Sequence, residues 1–110
     1  MHTATAPTFD GHRLDELLSA GEPVVIEFWG PWCGPCRAMA PLLDTVSARL
    51  HGSVTVGKVD ISADPGLAGR FTILSVPTLV RFADGAEQSR HHGSLTEDEL
   101  MRFCVGSSAE

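Results

Sequence analysis

Two hydrophobic periods alternate along this chain, and each change of period marks an element. Leu14, Leu17 and Leu18 recur at i, i+3 and i+4, which predicts a short helix that stops at Gly21. Val24 to Trp29 is an almost unbroken apolar run, the pattern of a strand buried on both faces and therefore central in its sheet. From about Gly34 to Leu50 the pattern is helical again, with Met39, Leu43, Val46 and Leu50 on the buried face and Gly52 as the stop. Pro41 lies inside this helix and is expected to kink it, because it lacks an amide hydrogen and its ring crowds the preceding turn. Val54 to Ile61 reads as a strand, and Asp64 and Pro65 as the N-cap and first residue of a short helix reaching about Phe71. Thr78 to Ala83 and Glu87 to His92 flank Asp84-Gly85, a hairpin turn. A last helix is announced by a capping box, Thr96 with Glu99, and by a staple of Leu95 on Leu100; its inward face carries Leu100, Phe103 and Cys104. A weak first strand is expected around Pro7 to Phe9.

The predicted order is β-α-β-α-β-α-β-β-α. Strands joined through helices favour parallel neighbours, whereas a hairpin is antiparallel, so the expected α/β architecture is a mixed central sheet with helices on both faces. Residues 9–106 are expected to form one domain, with 1–8 as a flexible lead and 107–110 as a tail.

Composition narrows the function classes. The chain has 110 residues, room for one core, and its 43% hydrophobic content does not suggest disorder. A net charge of -6 argues against a nucleic-acid surface. No apolar run is long enough for a membrane span, and Met1 to Asp10 shows no basic stretch followed by an apolar one, so no signal peptide and a cytoplasmic location are expected. In that reducing compartment a cysteine pair has a redox or metal role rather than a structural one. Of the three cysteines, two stand at C-x-x-C spacing and one is isolated, unlike a disulfide-stapled secreted domain.

The chemistry concentrates in Trp29-Gly30-Pro31-Trp32-Cys33-Gly34-Pro35-Cys36-Arg37, where the central strand ends and the long helix begins. The carboxyl edge of a sheet is a common place for α/β active sites. Cys33 at a helix amino end meets unpaired amides and the positive end of the helix dipole, which favour the thiolate that attacks disulfides. Cys36, three residues on, shares its helical face, lies within disulfide reach and is expected to be the more buried, resolving thiol. Gly34 permits close approach of a partner chain, and Pro35 omits an amide hydrogen that a helix start does not use. The alternative for this pair is a zinc half-site completed by Cys104, His91 or His92, although no second C-x-x-C or H-x₃₋₅-H exists to complete it.

From about Phe9 to Val105 the chain resembles the thioredoxin family in its single-domain form. The resemblance rests on Glu27-Phe28-Trp29, Trp32-Cys33-Gly34-Pro35-Cys36, Pro41, Lys58, Val76-Pro77-Thr78, Asp84-Gly85 and Gly93 at matching spacings. It implies the thioredoxin fold, a Cys33–Cys36 disulfide in the oxidised state, and reduction of disulfides in other proteins. It implies no bound cofactor or metal, and a thioredoxin reductase as the partner that brings flavin and NADPH. Protein disulfides would be the substrates, and a monomer is expected. Pro77 taken alone reads as a trans proline at a strand start, the commoner isomer. The resemblance implies that it is cis, faces Cys33 and exposes the Val76 backbone for strand-like pairing with substrate. Trp32, Gly34, Pro35, Val76, Pro77 and Gly93 then form the docking surface.

Glu27 is the sole charge in the apolar run, so it is expected to be paired or to hold its proton. The family usually has aspartate here, behind the cysteines, relaying a proton to or from the resolving thiol; glutamate is one methylene longer. Lys58 is the only lysine in the chain, and lysine, unlike arginine, can lose its proton when buried. The resemblance places Lys58 beside Glu27, where the two are expected to titrate together with Cys36; a plain structural ion pair is the alternative. Cys104 reads as a core residue, His91 and His92 as a solvated strand edge, and Trp29 as core or as a shield for the cysteines. An oxidase or isomerase on the same fold, and a binding module without redox turnover, are the rival readings.

Overall fold

The computed structural model describes residues 5–106, so of the expected loose ends at 1–8 and 107–110 only residues 5–8 lie within the described residues. Helix α1 spans Gly11–Ala20, strand β1 Val24–Trp29, helix α2 Gly34–Arg49, strand β2 Thr55–Asp60 and helix α3 Pro65–Arg70. Strands β3 (Thr78–Ala83) and β4 (Ala86–His92) form the hairpin, and helix α4 runs from Glu97 to Val105. The sheet order is β2-β1-β3-β4; β1 is parallel to β2 and antiparallel to β3, and β3 is antiparallel to β4. The apolar run Val24–Trp29 is therefore central, as its sequence predicts. The fold is α/β with a mixed sheet.

Alternation along β1 divides the core in two. Val24, Ile26 and Phe28 join Leu14 and Leu17 of α1 and Leu67 of α3 on one face. Val25 joins Met39, Leu43 and Val46 of α2 and Leu100 and Cys104 of α4 on the other. Every residue expected on the buried face of α2 is buried. The period of two places Glu27 and Trp29 on the α2 side with Val25.

Local signals explain the helix ends. The Oδ1 of Asp10 accepts from the Arg13 amide at 2.8 Å and caps α1, and Gly21 closes it at φ +75°, a left-handed conformation suited to glycine. Both halves of the capping box at Thr96 and Glu99 are present. Helix α2 runs through Pro41 without interruption.

Two expectations need correction. The first strand is reduced to a single bridge between Thr8 and Lys58, made by the Lys58 amide donating to Pro7 (2.9 Å) and the Phe9 amide donating to the Lys58 carbonyl (2.8 Å). Pro7 has no amide to extend the ladder, and the chain turns at once into the Asp10 cap. The chain just before α1 is held as well, since Ala6 is buried and its amide donates to Asp44 at 2.8 Å. Asp64 does occupy the N-cap of α3, but its side chain makes no capping hydrogen bond.

Candidate active site

The β1–α2 junction assembles the reactive pair. Cys33 is the N-cap of α2 with extended backbone (φ −87°, ψ 111°), and Cys36 lies in the first turn. The two are joined as a disulfide with Cα atoms 5.3 Å apart, the pairing the resemblance implies. The Cys36 amide points at Cys33 Sγ at 3.2 Å, so an orphan donor of the helix start faces the sulfur that would carry negative charge. Cys36 is 2% exposed against 7% for Cys33, the order expected for a resolving and an attacking thiol.

The approach to the pair is built by its neighbours. Arg37 Nη1 donates to the Pro31 carbonyl at 2.8 Å and the Cys33 amide donates to the Gly30 carbonyl at 3.0 Å, which fix the turn before the helix. Trp32 is 59% exposed, unusual for so large an apolar side chain. A side chain on Gly30 would collide with its indole, so Gly30 serves as the seat on which Trp32 lies. Gly34 and Pro35 are exposed beside it.

The Val76–Pro77 bond is cis, as the resemblance implies, and the Gly93 amide donates to the Pro77 carbonyl at 2.9 Å. Thr78, opposite His92 in the β3–β4 register, donates its hydroxyl to the Ser75 carbonyl at 2.7 Å and lies 3.3 Å from His92 Nδ1. His92 is exposed, as expected of an edge. His91 departs from that expectation: it is half-buried and meets the Phe103 ring edge-on at 6.5 Å, because α4 covers this side of β4.

On the α2 face of β1, Glu27 is 1% exposed, and its Oε2 has no hydrogen-bond partner. Burial drives its pKa up from 4.5 to about 7; the positive charge of Lys58 pulls the other way with a smaller effect. Glu27 and Lys58 are register partners across β1 and β2 on the same sheet face, yet they make no direct ion pair. The Lys58 ammonium instead lies 5.1 Å from the centroid of the Trp29 ring, a cation–π distance.

The zinc alternative finds no geometry here. Among the described residues no group of three or more His, Cys, Asp or Glu could hold a metal ion. Cys104 is 1% exposed in the core under α4, and burial pushes its thiol up to about 12.

The family model described as thioredoxin matches residues 5–105. This chain belongs to the thioredoxin family. The thioredoxin of Mycobacterium tuberculosis strain H37Rv is 35% identical over 100 residues, which cover 91% of this chain and 86% of that one. A bifunctional thioredoxin reductase/thioredoxin of Mycobacterium leprae is 33% identical over 98 residues, covering 89% of this chain and 21% of that longer protein. The solved structure of a mutant thioredoxin from Halobacterium salinarum superimposes with a TM-score of 0.84 at 28% identity, covering 100% of this chain and 96% of that one. The chain is accordingly a thiol–disulfide oxidoreductase whose redox-active pair is Cys33–Cys36. Members of the family carry no bound cofactor for this exchange.

Sequence reasoning missed two contributors to the site. Gly30 was readable only as one glycine among eleven. Arg37 closed the motif without an assigned role.

Proposed function

We propose that this chain is a protein-disulfide reductase and a general electron donor of the cytoplasm, recharged by a thioredoxin reductase. The carrying observation is Cys33 Sγ at the amino end of α2, 3.2 Å from an inward-pointing amide, with the solvent-excluded, unpartnered carboxyl of Glu27 on the sheet face beneath that helix. In the reduced protein Cys33 attacks one sulfur of a substrate disulfide as thiolate, and the other sulfur leaves as thiolate and takes up a proton. Cys36 loses its proton to Glu27, attacks Cys33 Sγ and expels the second substrate thiolate, which is protonated in turn. Two electrons and two protons pass to the substrate, and the Cys33–Cys36 disulfide remains.

Glu27 suits this relay because burial holds its pKa near that of a proton carrier at neutral pH. Lys58 moderates it from the neighbouring strand. Trp32, Gly34, Pro35, Val76, Pro77 and Gly93 form the wall against which substrate docks, with the Val76 backbone available for strand-like pairing. The reductase carries the flavin and draws on NADPH; the Mycobacterium leprae relative, whose name joins reductase and thioredoxin in one chain, supports that partnership. The protein works as a monomer. No helix among the described residues is long and apolar enough to cross a membrane, which accords with this assignment.

The test is the reduction potential of the Cys33–Cys36 couple, read by equilibration in thiol/disulfide buffers and alkylation of free thiols. A reductant is expected to lie below the cytosolic glutathione poise of about −220 to −260 mV, each 30 mV being worth about 1.4 kcal/mol. A value above that poise would make the chain an oxidase or isomerase.

A further inference from the structure

The segment between α3 and β3 carries Leu74 and Val76, and side-chain hydrogen bonds hold it at both ends. At its far end the Thr78 hydroxyl donates to the Ser75 carbonyl. At its start the holder is Arg90 of the edge strand β4. Arg90 Nη2 donates to the Phe71 carbonyl at 2.7 Å and Nη1 to the Thr72 carbonyl at 2.9 Å. The same guanidinium is oriented by Glu87, with Nε donating to Oε2 and Nη2 to Oε1, both at 2.8 Å. Four hydrogen bonds thus fix one planar fork, a geometry that lysine cannot reproduce.

What the fork holds is a strained turn. Thr72 has φ +55°, a left-handed conformation that a β-branched residue avoids and that persists only where its surroundings impose it. Arg90 binds the carbonyls of Thr72 and of the residue before it. Two residues later stands Leu74, the most exposed large apolar side chain in the described chain at 86%. Nothing in the core explains its outward position, whereas an apolar contact with a substrate chain would.

We propose that Arg90 is a positioning residue for substrate docking. Its fork, set by Glu87, holds the Phe71–Thr72 turn so that Leu74 and Val76 are presented to an extended, apolar stretch of the substrate protein beside its disulfide. All four hydrogen bonds of its side chain go to this turn and to Glu87, so it acts on recognition and leaves the Cys33–Cys36 chemistry alone. The inference rests on the reductase reading above.

The experiment compares wild type, Arg90→Lys, Glu87→Gln and Leu74→Ser with dithiothreitol as the reductant. The substrates are insulin, as a protein disulfide, and a small aromatic disulfide that has no chain to dock. Arg90→Lys and Leu74→Ser are expected to raise KM for insulin about five-fold, the scale of one or two lost contacts, and Glu87→Gln less. Rates with the small disulfide and the reduction potential should stay at the wild-type values. Leu74 and Glu87 lie at the surface, so these two variants read the docking role even if Arg90→Lys fails to fold. Unchanged KM for insulin across the folded variants would overturn the proposal, as would equal losses on both substrates. A wild-type protein that reduced neither substrate would instead overturn the reductase reading, and this inference with it.

Discussion

Replacing Glu27 by glutamine should abolish a pH dependence of stability that the wild type carries near neutrality. In the unfolded chain this carboxyl ionises around 4.5, whereas in the folded protein burial raises its pKa to about 7. The folded state therefore binds the proton more tightly. Stability is fully present below the unfolded value, falls as pH rises through the window between 4.5 and about 7, and levels off above it. The whole cost of ionising the buried carboxyl is about 3 kcal/mol, most of which falls between pH 5 and 8. Asp60, Glu87 and Glu99 are shifted downward by hydrogen bonds, chiefly from Ser62, Arg90 and Thr96 respectively, so they act at lower pH and leave the window clear. The assay is urea unfolding of the oxidised proteins at intervals from pH 5 to 8, the disulfide keeping the two thiols from titrating. The quantity read is the wild-type minus Glu27→Gln difference, because an unpartnered amide adds a constant offset but no slope. The difference should move against the wild type by about 2 to 3 kcal/mol across the range. A flat difference would refute the reasoning and mean that the carboxylate is stabilised inside the protein.

Other expectations follow from particular contacts. Cys36→Ser should trap Cys33 as a stable mixed disulfide with substrate, detectable by non-reducing electrophoresis, and Cys33→Ser should trap none. Gly30→Val should displace the Trp32 indole, seen as a change in tryptophan emission, and weaken protein-substrate turnover while the fold persists. Asp10→Ala removes the cap on the Arg13 amide and should cost about 1 kcal/mol in urea unfolding, with activity unchanged. Cys104 should resist alkylation in the native reduced protein while Cys33 reacts, since burial pushes the Cys104 thiol up to about 12. Labelling of Cys104 at the Cys33 rate would contradict that placement.

The sequence by itself determined the elements and the chemistry. Period and capping residues are local properties, so β1, α2, the hairpin and α4 were legible, and so was the placing of Cys33 at a helix start. The motif around Cys33 and Cys36, with Pro77 and Gly93 at their spacings, was specific enough to carry the family. Glu27 was visible as a lone charge in a buried strand.

Only the tertiary structure decided how those parts meet. The Pro7–Phe9 strand shrank to one bridge because its pairing depends on a partner strand and on an amide that Pro7 lacks. Lys58 came beside Glu27 in register but settled over the Trp29 ring, a choice between two nearby partners that neither residue's identity specifies. Arg90 reached carbonyls 18 and 19 positions away in the chain, which no local pattern could announce. Backbone carbonyls are the same at every residue, so which of them a guanidinium finds is settled by the packing of β4 against the segment that precedes β3.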